Sequence, residues 1–195
     1  MKNIILASAS PRRKQLLKQL GLPFTTDVPD VDERFNPRLG PRKQAEVLSL
    51  VKAEAVGLRH KEEAIIIAAD TIVALGQEMI AKPSDIPDAR RMLRKLSGKT
   101  HDVFTGVTVL DAKTKKSLTA SEHTKVTFKH LTRDEFRLYP EKEHVLDKAG
   151  AYAVQGLGGF LLVERIDGDF YNVVGLPMFL LTQMLRKFGV DALTL

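Results

Sequence analysis

Residues 64–69 read Ala64-Ile65-Ile66-Ile67-Ala68-Ala69 without a polar interruption, and Asp70 closes the run. A strand with one face in water alternates apolar and polar side chains, so an unbroken apolar run of this length reads as a strand covered on both faces. Helices must then pack above and below a sheet, which predicts α/β layering. Residues 3–7 form a second apolar run, shorter but of the same kind. After it, Ser10 stands as an N-cap, Pro11 as the first helical residue, Leu16, Leu17 and Leu20 as one apolar face, and Gly21 just past the end. That punctuation predicts one complete helix.

Spacing predicts a second helix over 41–58, with Val47, Leu48, Val51, Ala55 and Leu58 on its buried side, and a third over 85–96 through Ala89, Met92, Leu93 and Leu96. From 101 to 130 the pattern is strand-like, with Val103, Val107, Val109, Val126 and Phe128, and the polar stretch 111–116 reads as the turn of a long hairpin. A short helix is predicted over 132–139 and a strand over 160–166, after the glycine-rich segment 150–159. A last helix over 175–188 turns Leu181, Met184, Leu185 and Phe188 inward. Alternating helices and strands with a central hairpin make the fold class α/β with a mixed sheet. No repeat, low-complexity tract or Gly/Ser linker divides the 195 residues, so a single domain is expected.

Cysteine is absent, which excludes a disulfide framework, a zinc–thiolate site and a cysteine nucleophile. No window reaches the roughly 18 apolar residues of a membrane span, and the N-terminal apolar run is too short for a secretory signal. A cytoplasmic location without membrane partners is expected. Lys and Arg total 30 against 24 Asp and Glu, which favours an anionic partner. The densest basic cluster is Arg12-Arg13-Lys14, aromatic residues are 6%, and tryptophan is absent. Charge this focal suits small phosphates, and the broad basic stripe of a nucleic-acid face is disfavoured.

The segment Leu6-Ala7-Ser8-Ala9-Ser10-Pro11-Arg12-Arg13 places two cations in the first turn of a helix. They oppose the macrodipole there unless an anion such as phosphate neutralises them; a solvated basic helix end is the alternative. Asp70, at the predicted end of an apolar strand, lies where open α/β sheets bind ligands, or else simply begins a turn. Glu33 belongs to the acidic cluster Asp30-Val31-Asp32-Glu33; taken separately it is more often a solvated loop charge than a ligand, but as a carboxylate pair Glu33 and Asp70 can hold Mg²⁺ beside phosphates. Lys82 before Pro83 is held extended, which aims its ammonium at a fixed point, although a surface lysine is the commoner reading. Gln155, among small residues, offers an amide donor and acceptor suited to a base edge, although a glycine-rich turn between strands explains the segment equally well. Gly98-Lys99-Thr100 imitates the end of a Walker A loop, but Leu93 stands where that motif needs glycine. Neither HExxH nor GxSxG occurs, which argues against zinc-peptidase and serine-hydrolase chemistry.

In chain order, LASASPRR, AADT, KP, SGKTH, DKAGAYAVQG and NVVGLP resemble the motifs of the Maf family of nucleoside triphosphate pyrophosphatases, from Leu6 to about Leu185. The resemblance implies an elongated mixed sheet flanked by helices, two lobes around a cleft, and kinship with inosine triphosphate pyrophosphatases. It implies hydrolysis of the α–β phosphoanhydride of a nucleoside triphosphate, giving monophosphate and pyrophosphate, with Mg²⁺ or Mn²⁺. Asp70 would accept the proton of the attacking water, and Arg12, Thr71 and Gln155 would set substrate choice. Ser8, Arg12, Arg13, Lys52 and Lys82 would hold phosphates, and Glu33 with Asp70 the metal. Ala69-Asp70-Thr71 and Tyr152-Ala153-Val154-Gln155-Gly156 match the members acting on dTTP and UTP, whereas 7-methyl-GTP members carry Ser-Asp-Gln. A second copy of the chain is a candidate partner. The alternative is a regulator of septum formation that binds nucleotide or nucleic acid with little catalysis.

Overall fold

The structure, a computed structural model, describes residues 3–60 and 63–193. The order is β1 Asn3–Leu6, α1 Pro11–Gln19, β2 Thr25–Thr26, α2 Pro41–Gly57, β3 Ala64–Leu75, β4 Glu78–Ile80, α3 Ile86–Leu96, β5 Thr100–Asp111 and β6 Ser117–Phe128. Then follow α4 Arg133–Lys142, a 3₁₀ turn Ala149–Ala151, α5 Leu157–Leu161, β7 Val163–Asp167, α6 Phe170–Val174 and α7 Met178–Arg186. No helix among the described residues is long and apolar enough to cross a membrane.

Among the described residues, seven strands form one mixed sheet in the order β2-β1-β3-β5-β6-β7, with β4 also on β3. β1 runs parallel to β2 and β3, while β5, β6, β7 and β4 pair antiparallel. One edge of β3 is filled along its length by β5. The other carries β1 only as far as Ile67 and β4 only from Val73. Residues 68–72 therefore run through the sheet with one edge bare.

Alternation along β3 sorts the core into two layers. Ile65, Ile67 and Ala69 pack with Leu16 and Leu17 of α1 and Leu181, Met184 and Leu185 of α7. Ile66 and Ala68 pack with Ala53 and Val56 of α2. Farther along the sheet, Val73, Val103, Val126 and Phe128 meet α3 through Ala89, Met92, Leu93 and Leu96. The mixed α/β sheet and the long β5–β6 hairpin are as the sequence predicts. So is α1, where the Ser10 hydroxyl accepts from the Arg13 amide and Gly21 takes φ +78°.

Three expectations are corrected. Asp70 does not end its strand: β3 continues to Leu75, with Asp70 paired to Gly106 in the middle of the ladder. The carboxylate is tolerated there because a lysine meets it, as described below. On α2, Val51 and Leu58 are exposed, and the buried face is Gln44, Ala45, Leu48, Ser49, Lys52, Ala53 and Val56. The reason is close packing: a Cβ on Gly106 would stand 2.2 Å from the Ala45 carbonyl oxygen. So tight a contact needs small residues where the helix meets β5, at Ala45, Ser49 and Gly57, and Leu48, Lys52 and Val56 bury beside them. Finally, residues 157–161 coil into α5, so β7 begins at Val163, and the last helix starts at Met178. Gly175, at φ +117°, ends α6 and separates it from α7.

Candidate functional site

The bare edge of β3 opens into a cleft of about 560 Å³. Because successive strand residues point to opposite faces, Asp70 faces α2 while Thr71 faces α1 and α6. The cleft wraps around the free edge and reaches both. Ser8, Arg12, Arg13, Glu33, Lys52, Asp70, Thr71, Lys82 and Gln155 all line it, so every site residue predicted from the sequence is brought together.

On the α2 face, Lys52 lies on the buried stripe one turn beyond Leu48 and aims at Asp70. Its Nζ is 2.6 Å from Asp70 Oδ1 and 2.6 Å from Glu33 Oε1. Glu33 arrives on the irregular segment between β2 and α2, which is tied at one end to the residues just past α2 and at the other to α2 itself. Asp27 pairs with Arg59 at 2.6 Å and His60 at 2.8 Å, and the Asn36 amide donates to Gln44 Oε1 at 2.9 Å. Lys82, in the turn between β4 and α3, reaches Glu33 Oε2 at 3.5 Å.

The two carboxylates are driven apart. Burial raises Asp70 above the usual carboxylate range, against the opposing charges of Lys52 and Arg13. Burial also acts on Glu33, but its hydrogen bond to Lys52 and the charges of Lys52 and Lys82 outweigh it and hold this group low. Both carboxylates close on the Lys52 ammonium, and as hard oxygen donors they also suit Mg²⁺ or Mn²⁺, which complete their shells with substrate phosphates and water. Among the described residues there is no cluster of three or more His, Asp or Glu that could hold a metal, so the protein's share would be these two.

On the opposite face, Arg13 is not a solvated helix end. Its Nε donates to the Gly175 carbonyl at 2.7 Å, Nη2 to Thr71 Oγ1 at 3.1 Å and Nη1 to Ser8 Oγ at 3.4 Å. Three of its five donors are thus spent on the protein. Burial lowers its pKa, with the Asp70 charge opposing. Arg12 is less committed: Nη1 lies 3.7 Å from Asp147 Oδ2. Gln155 lines the cleft, and its side-chain amide makes no hydrogen bond to a described residue.

Sequence reasoning missed several members. Asp147 faces Arg12 and is itself held by Lys148 at 2.7 Å; both belong to the DKAGAYAVQG motif, the signal that could have found them. Thr105 and Asn172 stand fully buried behind Thr71, and the threonine carries no motif signal.

The chain belongs to the Maf family, whose model, described as "Maf-like protein", matches residues 3–188. It is 45% identical over 191 residues to a dTTP/UTP pyrophosphatase of Desulforamulus reducens, covering 98% of this chain and 99% of that one. It is 46% identical over 191 residues to a dTTP/UTP pyrophosphatase of Moorella thermoacetica, covering 98% and 97%. Among solved structures, a HAM1 protein from Coxiella burnetii aligns with 68% of this chain and 76% of its own, at 14% identity and a TM-score of 0.47.

Proposed function

We propose that this protein hydrolyses the α–β phosphoanhydride of dTTP and UTP, releasing the nucleoside monophosphate and pyrophosphate. The observation that carries the reading is the Asp70–Lys52–Glu33 cluster at the bare strand edge, with Arg12 and Arg13 lining the same cleft. Two carboxylates pushed in opposite directions divide acid–base work between them. Asp70, held high by burial, takes the proton from the attacking water. As the water oxygen bonds to the α-phosphorus, the bond to the bridging oxygen breaks and pyrophosphate leaves. Glu33 stays ionised. Glu33 and Asp70 would hold a Mg²⁺ or Mn²⁺, which when bound supplies Lewis-acid neutralisation of the phosphates.

Ser8, Arg12, Arg13, Lys52 and Lys82 bind and orient the polyphosphate. Positioning and charge neutralisation can carry such a transfer without a covalent intermediate. Ser8 suits this role by its hydrogen bonds: its oxygen accepts from the Ser10 amide at 3.1 Å and from Arg13 at 3.4 Å, which leaves its proton to donate to a phosphate oxygen. Arg12, Thr71 and Gln155 set the choice of nucleoside, and the match of the curated relatives supports dTTP and UTP. The test is a panel of nucleoside triphosphates with Mg²⁺ or Mn²⁺, products resolved as monophosphate and pyrophosphate. Turnover of dTTP and UTP should exceed that of GTP and 7-methyl-GTP by about ten-fold to a hundred-fold. Release of orthophosphate, or 7-methyl-GTP as best substrate, refutes the reading.

A further inference from the structure

Behind the cleft wall the hydrogen bonds around Thr71 close into a ring whose direction can be read. The buried Thr105 donates its only hydroxyl proton to the Asn172 carbonyl at 2.9 Å. Thr105 Oγ1 is also 3.0 Å from Thr71 Oγ1, and with its own proton spent it can only accept there. The proton between the two threonines therefore belongs to Thr71. Thr71 Oγ1 in turn accepts from Arg13 Nη2 at 3.1 Å. Arg13 Nε donates to the Gly175 carbonyl at 2.7 Å, and the Gly175 amide donates back to the Asn172 carbonyl at 3.0 Å. Asn172 is anchored beneath by bonds from Nδ2 to the Val103 carbonyl and Thr124 Oγ1, each 3.0 Å.

We propose that Thr105 is a positioning residue for nucleoside choice: by taking the proton of Thr71, it makes Thr71 present only a lone pair to the cleft. A lone pair repels phosphate oxygens, so Thr71 faces the nucleoside and selects a hydrogen-bond donor there. At N3 thymine and uracil carry such a donor, whereas cytosine has an acceptor there and holds its donor one atom farther out, on the 4-amino group, so the discrimination is one of position. Thr105 thereby favours dTTP over dCTP without touching either. This rests on the nucleotide reading above.

The test compares wild type, Thr105→Val and Thr105→Ser. Valine keeps the shape and removes the acceptor, so the Thr71 proton is released toward the cleft; the Asn172 carbonyl keeps its bond from Gly175. Serine restores the acceptor. Two ratios are measured for dTTP against dCTP: kcat/KM, and affinity for the α,β-methylene analogues by calorimetry. The expected result is a fall of about ten-fold in both ratios for Thr105→Val, the size of one hydrogen bond, and recovery in Thr105→Ser at unchanged Tm. A folded Thr105→Val with the wild-type ratios overturns the proposal, as does a Thr105→Ser that behaves like valine, or a wild type indifferent to the two bases. If Thr105→Val does not fold, Thr105→Cys, a weak acceptor, takes its place under the same criteria. A wild type that binds the analogues selectively but turns over no triphosphate defeats the catalytic reading, and the affinity ratios still decide the role of Thr105.

Discussion

Acidification should destabilise this fold through His101. The imidazole is fully buried, with Nε2 2.8 Å from the Tyr152 hydroxyl and with Phe128 and Tyr152 rings edge-on at 5.0 and 5.4 Å. Nδ1 has no hydrogen-bond partner among the described residues. Burial pushes its pKa down from 6.5 to about 4, with the charge of Asp102 opposing. Above pH 6.5 both folded and unfolded chains carry a neutral ring, and nothing is lost. As pH falls below 6.5 the unfolded chain binds a proton that the folded one refuses, so stability drops by about 1.4 kcal/mol per pH unit. The loss reaches about 2 kcal/mol near pH 5 and about 3 kcal/mol near pH 4, where the folded ring begins to protonate and the slope vanishes. Urea unfolding of wild type and His101→Gln across pH 4–8 is the assay. Glutamine retains a donor for Tyr152 but does not titrate, and subtracting the two profiles cancels the carboxylates common to both. Parallel profiles would refute the reasoning.

Asp70→Asn should lower turnover by about 10²–10⁴-fold or more while nucleotide binding, followed by calorimetry on the same preparation, survives; near-native turnover would shift the base to Glu33. Glu33→Gln should be partly rescued by excess Mn²⁺, and Asp70→Asn should not. Gly106→Ala would drive a methyl to within 2.2 Å of the Ala45 carbonyl oxygen and lever α2 off the sheet. The expected cost is about 1–3 kcal/mol by urea denaturation, with a parallel loss of activity because Lys52 rides on the same helix; an unchanged midpoint would contradict the close packing.

Much of this architecture is written locally. The apolar run before Asp70, the Ser10-Pro11 start and Gly21 stop of α1, and the valines of the hairpin each act through near neighbours, and periodicity and capping report such forces directly. The chemistry of the cleft was legible for a similar reason: Arg12, Arg13, Asp70 and Lys82 are charges set beside turns and apolar runs, where charge is costly without a purpose. Tertiary structure alone decided the rest. The buried side of α2 departs from the most apolar stripe because Gly106 admits the helix so closely that size outranks hydrophobicity. Asp70 stays inside β3 because Lys52, 18 residues earlier in sequence, compensates its charge from another element. The polarity of Thr71 depends on Thr105 and Asn172, 34 and 101 positions away along the chain and brought within hydrogen-bonding reach only by the β3–β5 ladder and the docking of α6. A hydroxyl carries no direction in the sequence; its single proton acquires one only when folding has placed every partner around it.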